Sequence, residues 1–370
     1  MAKGKRNGIV IAGGGLSGSL AALALARHRP EVPLLIVEEQ ERFGGSRFRS
    51  VFGRPLGEEG RALMLPILDH LWPGYFTAFP GESRKLKSAF GGFEAEAVHR
   101  EMMAVLKPDQ YRLCTRVVAV REDSLVLDGG ETIKAEGAID ARGASNLSML
   151  DLLFETRVER VVRLKSPHGL DRPVLIDATD DQSAGFSFMR CFPLGEKRLL
   201  VAKALVSERS QPSDAADARL DHYFRLRGWK PAEVEAQMPV VRPLPIGGDF
   251  DAFWRIGGAR VAKLGLRGGF IHPATGAGVA DAVRNALLLA AQTDFSGAAL
   301  HDLFEQEAKR LWKRRQPLRD FNGALKAAAP AERRALVQSL YSQDPNMIAH
   351  FHTERLDLIE RLRLKRLIKG

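Results

Sequence analysis

Near the amino end, Gly13-Gly14-Gly15-Leu16-Ser17-Gly18 has the residue types and spacing to hold a phosphate-bearing ligand. Gly13 permits a tight turn, Gly15 lets a pyrophosphate approach the backbone, and Gly18 allows close helix–strand packing. Leu16 and Ser17 open a helix whose free N–H groups and positive dipole face the phosphates. Glu38, roughly 20 positions past the last glycine, is the acid that such a site uses for ribose hydroxyls. The chemistry indicated is dinucleotide binding; an ordinary tight strand-to-helix turn is the alternative.

Around these residues stand the elements that must position them. Ile9-Val10-Ile11-Ala12 reads as a buried strand, Leu20 to Arg27 as a helix of small residues, and Leu34-Leu35-Ile36-Val37 as a second strand. Three further features favour FAD over NAD. Gly44-Gly45 lies just past Glu38 and Glu39, where the backbone must again pass close to a cofactor. Thr132 to Gly143 reads as a strand ending at Asp140 and a glycine turn at Gly143. The loop Phe270-Ile271-His272-Pro273-Ala274-Thr275-Gly276-Ala277-Gly278 feeds a helix from Val279 to Ala291. Pro273, Thr275 and Gly276 would bring that helix's dipole to an anionic flavin ring. No second complete glycine fingerprint follows a strand, which argues against a separate NAD(P) domain.

The chain has 370 residues, enough for one large core with an inserted lobe. The fold class is α/β: a Rossmann-like FAD-binding domain with an inserted β-rich substrate lobe and a helical C-terminal region. The discontinuous FAD-binding domain takes residues 1–47, 107–156 and 246–295, the lobe 48–106 and 157–245, and the helical region 296–370. The lobe has strand-like runs at 173–177 and 198–202. Ser207 to Asp214 reads as a polar loop before a helix from Ala215 to Leu226. No apolar run reaches about 18 residues, so no spanning helix is expected. The start, Met1 to Asn7, is basic without an apolar signal region. Cys114 and Cys191 form no CxxC pair, which fits a reducing cytoplasm. No metal site is expected.

Formal net charge is +10, concentrated at Lys309 to Arg315 and Arg355 to Lys369. Thr353 to Lys369 places leucine and isoleucine at helical spacing between cations, an amphipathic pattern. It suits an anionic membrane surface, or equally a helix packed on its own domain with a solvated basic face. Basic residues do not alternate with aromatic ones, so nucleic acid is not expected.

The order of segments resembles the flavin-containing bacterial lycopene β-cyclases over most of the chain. The matching pieces include Ala12 to Gly18, His70-Leu71-Trp72-Pro73, Pro167-His168-Gly169-Leu170, Ile176-Asp177-Ala178-Thr179, Asp251-Ala252-Phe253-Trp254 and Phe270 to Gly276. The resemblance implies an FAD enzyme of carotenoid biosynthesis that closes ionone rings on lycopene. It also implies reduced flavin with NADPH as donor, an apolar isoprenoid or carotenoid substrate, and a cytoplasmic protein peripheral to the inner membrane. Ring closure needs an acid to protonate a terminal alkene, and the acid is usually a carboxyl in an apolar pocket. Reduced anionic flavin then stabilises the carbocation in a dry site.

Where the family has its favoured catalytic glutamate, then an acid and a threonine, this chain has Ala202, Lys203 and Ala204. A lysine facing the cavity would oppose a carbocation. The family's Asn-His-x-Trp is Ser46-Arg47-Phe48-Arg49 here, and Ala277 replaces an aromatic residue. Asp177, His272 and Glu58, with Glu59 beside it, are the substitute acid candidates. Asp177 could equally cap the turn at Ala178-Thr179, and His272 could equally be a structural loop histidine. Three readings follow: a cyclase using another acid, a flavin oxidoreductase (desaturation, reduction or hydroxylation) on an apolar substrate, or a flavin-binding pseudoenzyme.

Overall fold

The computed structural model describes residues 7–53, 56–212 and 215–368. The basic start up to Arg6, Ser213-Asp214 of the polar loop, and Lys369 lie outside the described residues.

The apolar run of strand Asn7–Ala12 is buried because the strand lies inside a parallel sheet. It pairs in parallel with Leu34–Val37 on one side and Thr132–Asp140 on the other, with Ile9 opposite Leu34 and Ile11 opposite Ile139. Tyr111–Arg112 extends the sheet beyond Leu34–Val37, and Ala262–Lys263 pairs in parallel with the end of Thr132–Asp140. The start of that strand instead pairs antiparallel with Ser124–Leu127, which pairs with Val117–Arg121. Helix Leu16–His28 packs against helix Val279–Ala290 through Leu20, Leu23, Ala24, Val283, Ala286 and Leu289.

A second sheet carries the lobe. Its order is Pro231–Gly248, Leu150–Leu164, Arg198–Ser207, Phe186–Pro193, Val174–Asp177, Tyr75–Phe79 and Glu82–Leu86. Pairing is antiparallel except between Val174–Asp177 and Tyr75–Phe79. Alternation along each strand divides its residues between two faces. Phe186, Phe188 and Phe192 join one core, while Met189 and Cys191 face Leu220, Tyr223 and Phe224 of helix Ala216–Leu226. The first core is closed by C-terminal helices, through Phe321 and Leu325 of Gln316–Ala327, Val337 and Leu340 of Arg333–Tyr341, and Phe351 of Pro345–Thr353. A small sheet of Arg49–Phe52, Phe90–Phe93 and His70–Trp72 lies beside it.

Two boundaries differ from the sequence reading. Helices Gly57–Met64 and Ala95–Val105, assigned there to the lobe, pack in the core of the nucleotide-type half. The face carrying Ala97, Val98 and Met102 meets the cluster around helix Leu16–His28. Residues 150–156, assigned to the nucleotide-type half, are the first part of the 15-residue lobe strand Leu150–Leu164. Periodicity marks where a strand runs but not which sheet receives it.

Candidate functional site

A cavity of about 500 Å³ runs from the amino-terminal glycine turn into the lobe core. Gly13 takes φ +99°, and a Cβ there would sit 2.8 Å from the Ala141 carbonyl. At Gly18 a Cβ would lie 1.9 Å from the Gly13 oxygen, so this glycine sits behind the turn and lets helix and strand meet. Gly15 is different: nothing lies within 4 Å of its Cβ position. It borders the cavity with Leu16 and Ser17, and the helix they begin has neither a side-chain cap nor an acid in its first turn. Such an uncapped N-terminus is a ready anion site.

Glu38 and Glu39 also line the cavity. One Glu38 oxygen accepts from the Gly14 N–H and the other from the Gln40 N–H at 2.8 Å, so the carboxylate also braces the turn. Gly45 and Gly143 line the wall at positive φ, and a Cβ at Gly143 would meet nothing. Thr275 and Gly276 border it next to Gly278, which opens Val279–Ala290 without a side-chain cap. Open glycines and two uncapped helix ends on one cavity fit a dinucleotide such as FAD.

Asp140 and Pro273, expected at the cofactor, lie outside the lining. Asp140 is buried and accepts from the Arg142 backbone and guanidinium, with Arg267 3.4 Å away. It orders the loop whose next residues, Arg142 and Gly143, reach the cavity. The Pro273 carbonyl accepts from Asn322 at 2.9 Å, tying the loop to the C-terminal helices.

The lobe end of the cavity is aromatic. Phe52, Phe90, Phe186, Phe188, Tyr341 and Phe351 all contribute. His272 is buried there, with Nε2 3.0 Å from the Phe351 carbonyl and Nδ1 without a partner. A carbonyl only accepts, so Nε2 holds the proton and Nδ1 presents a lone pair. Burial is the main cause of its lowered pKa, which keeps the ring neutral. His352 lies near it, bonded to Tyr341 Oη at 2.7 Å and pushed down to about 3 by burial.

The other substitute acids are elsewhere. Asp177 points to the opposite face of the lobe sheet, where it accepts from Tyr223 Oη at 2.9 Å and Thr179 Oγ1 at 2.7 Å. The turn-capping reading is the one its contacts match. Glu58 and Glu59 are exposed on helix Gly57–Met64, away from the cavity. Lys203 does not face the cavity: strand alternation sends it to the other face, where Nζ donates to Asp180 at 2.9 Å. Its neighbours Ala202 and Ala204 face the lobe core.

A charged layer on that core-facing side escaped the sequence reading. Glu155, Arg157 and Glu159 alternate along Leu150–Leu164 and are all buried. Register sets Glu159 opposite Ala202, and Ala202 opposite Arg190 on its other side. Arg242 stands opposite Glu155. Arg157 lies 3.3 Å from Glu155 and 2.8 Å from Glu159, and Arg190 is 3.8 Å from Glu155. Arg47 and Arg49 line the wall from the segment after Gly45. Burial pulls Arg49 down to about 9, Arg190 to about 10, and Arg242 well below the usual arginine value. The pattern Glu-Thr-Arg-Val-Glu was visible, but alternating charges in a strand ordinarily mark a solvated face.

The sequence model of the lycopene cyclase protein family matches residues 8–367. The chain belongs to the lycopene cyclase family. It is 30% identical to the lycopene beta-cyclase of Pantoea ananas over 358 residues, covering 96% of this chain and 93% of that one. Against the lycopene beta-cyclase of Pseudescherichia vulneris it is 29% identical, covering 96% and 92%. Among solved structures, a geranylgeranyl bacteriochlorophyll reductase-like protein from Thermoplasma acidophilum superposes with TM-score 0.65 at 14% identity, covering 98% of this chain and 97% of that one. The probable FAD-dependent monooxygenase pqsL from Pseudomonas aeruginosa gives 0.62 at 17%, covering 90% and 100%. The family member thus has the mixed α/β fold of FAD-dependent oxidoreductases.

Proposed function

We propose that this chain is an FAD-dependent enzyme of carotenoid biosynthesis that closes end rings on lycopene or a related polyene by acid-initiated cyclisation, without net oxidation. The observation that carries the reading is one continuous cavity, joining the uncapped turn at Gly15 to an aromatic chamber, in a chain matched by the family from 8 to 367. Gly13, Gly15, Leu16, Ser17 and Gly143 would hold the dinucleotide, with Thr275 and Gly276 at its ring end. Reduced FAD, with NADPH as electron donor, would supply negative charge beside a developing carbocation.

The chain's own residues support the remaining work. Phe52, Phe90, Phe186 and Phe188 exclude water and offer π faces to a cation. Neutral His272 presents Nδ1 as acceptor for the proton lost at the end. Glu155 is a carboxyl on the cavity wall, set opposite Val206 rather than Ala202, and its neighbours are guanidinium groups rather than the apolar surroundings a proton-donating carboxyl uses. That observation favours a second reading, flavin redox chemistry on an apolar substrate, which needs no acid at position 202.

Among the described residues no helix is long and apolar enough to cross a membrane. The last helix, Leu358–Leu367, turns Leu364 inward and leaves Leu358, Ile359 and Leu362 exposed among Arg361, Arg363, Lys365 and Arg366. The sequence pattern therefore serves two faces, and the exposed one suits an anionic membrane on the cytoplasmic side.

Anaerobic incubation of the FAD-loaded protein with lycopene and NADPH tests the proposal. Ring closure without stoichiometric NADPH consumption is expected. Stoichiometric consumption would replace it with the redox reading, and bound pigment without turnover would leave only a carrier.

A further inference from the structure

One cation on the cavity wall lacks a counter-ion. Arg242, on strand Pro231–Gly248, is half-buried and lines the cavity. Among the described residues it forms no ion pair, and its hydrogen bond to the Thr275 carbonyl is long, at 3.5 Å. The carboxylates around it are already engaged: Glu155 by Arg157 and Arg190, Asp281 by Arg284 and Arg315, and Glu354 by Arg314 and Arg315. Burial chiefly, then repulsion by Arg157, holds its pKa well below the usual arginine value; Glu155 pulls the other way, while Arg190 and Arg47 add to the repulsion. A guanidinium so placed is unfavourable unless an anion completes it.

Where the side chain lies narrows the source of that anion. Its stem crosses Gly276: a Cβ there would sit 2.8 Å from both Cβ and Cδ of Arg242. Gly276 also takes φ +62°, so the turn needs glycine for its backbone as well as for this close pass. The guanidinium is thus delivered to the Thr275–Gly276 turn, just before Gly278 opens helix Val279–Ala290 without a side-chain cap. An apolar substrate brings no charge to this place. The flavin ring does, and only when reduced, because the oxidised ring is neutral.

We propose that Arg242 sets the redox balance of the flavin in this chain: its guanidinium, together with the open start of helix Val279–Ala290, favours the reduced anionic ring over the oxidised neutral one. This rests on reading the cavity as an FAD site, and it holds for cyclisation and redox chemistry alike, since both use reduced flavin. A guanidinium there also takes up part of the ring's negative charge. Its two effects on a nearby carbocation therefore oppose each other, and the potential is the quantity to read rather than turnover.

The test reduces FAD-loaded protein anaerobically beside a reference dye, and titrates oxidised FAD separately by fluorescence. Arg242→Met should lose roughly 10- to 150-fold of the preference for reduced over oxidised FAD, the range for one hydrogen bond to a charged group. At two electrons that lowers the potential by about 30–65 mV. Affinity for the oxidised form should change little. Arg242→Gln, polar but neutral, should give the same drop and serves if the methionine variant does not fold. Arg242→Lys should recover part of the loss. Arg190→Met removes an equal charge from the same wall away from Gly276, and should move the potential less. An unchanged potential in the neutral variants at position 242, or an equal shift in Arg190→Met, overturns the proposal. A parent chain that takes up no FAD sinks the cofactor reading with it, whereas FAD uptake with no shift at position 242 sinks this inference alone.

Discussion

Two glycines three residues apart should fail in opposite ways. Gly15 has φ −63° and ψ −177°, a conformation open to any residue, with nothing within 4 Å of its Cβ position. Gly15→Val should lose about 1 kcal/mol from the helix cap. It should recover about 0.4–1 kcal/mol from a less free unfolded chain. Unfolding free energy of the apoprotein should therefore change little. The valine side chain, however, enters the space a pyrophosphate needs. Losing one backbone N–H bond to a phosphate removes about 1.5–3 kcal/mol, which weakens FAD binding roughly 10- to 150-fold. Gly18→Ala places a methyl group 1.9 Å from the Gly13 oxygen, and relieving that overlap costs about 3 kcal/mol of stability. Urea unfolding of the apoproteins and flavin-fluorescence titration separate the two effects. Wild-type FAD affinity in Gly15→Val, or equal destabilisation by both substitutions, would refute the assignment of that open space to the cofactor.

Three other perturbations probe separate parts of the structure. Ala202→Glu puts a carboxyl on the core-facing side between Glu159 and Arg190, and ring closure should rise by about 100-fold if an acid there is what limits it; chromatography of products reads this, and no gain favours redox chemistry. Tyr223→Phe removes a donor from buried Asp177 and should cost about 1–2 kcal/mol in urea unfolding with flavin content unchanged, whereas loss of activity alone would restore a catalytic role to Asp177. Asp281 is buried; burial works to raise its pKa, but Arg315 and Arg284 overcome that and hold it below the ordinary carboxylate value. A depressed folded pKa contributes stability above the unfolded value, about 4, that is lost as pH falls through the folded one. Asp281→Asn should therefore cost about 3–5 kcal/mol at pH 7 and flatten the acid limb of the stability profile, and an unchanged limb would contradict the pairing.

The sequence made the nucleotide-type half legible because its signals are local. Gly13, Gly18 and the buried strand Ile9 to Ala12 are dictated by neighbours within a few residues or by one adjacent strand. The chamber was not legible for the opposite reason. Glu155, Arg157, Arg190 and Arg242 meet only after Leu150–Leu164 pairs with Pro231–Gly248 on one side and, through Arg198–Ser207, neighbours Phe186–Pro193 on the other, and each alone reads as a solvated position. The faces taken by Asp177 and Lys203 were left open for a related reason: one step along a strand reverses the side chain, and register comes from pairing rather than from the residue itself. Leu358 and Leu364 share a helix but not a face, which leucine content alone does not reveal.

The most direct measurement is titration of the apoprotein with FAD, followed by visible absorbance. One FAD per chain, with flavin bands perturbed on binding and competition by adenosine diphosphate, is the result expected from a cavity bounded by Gly15 and Gly143. A protein that stays colourless, or binds FAD no more tightly than Gly15→Val does, would contradict the assignment on which the site chemistry depends.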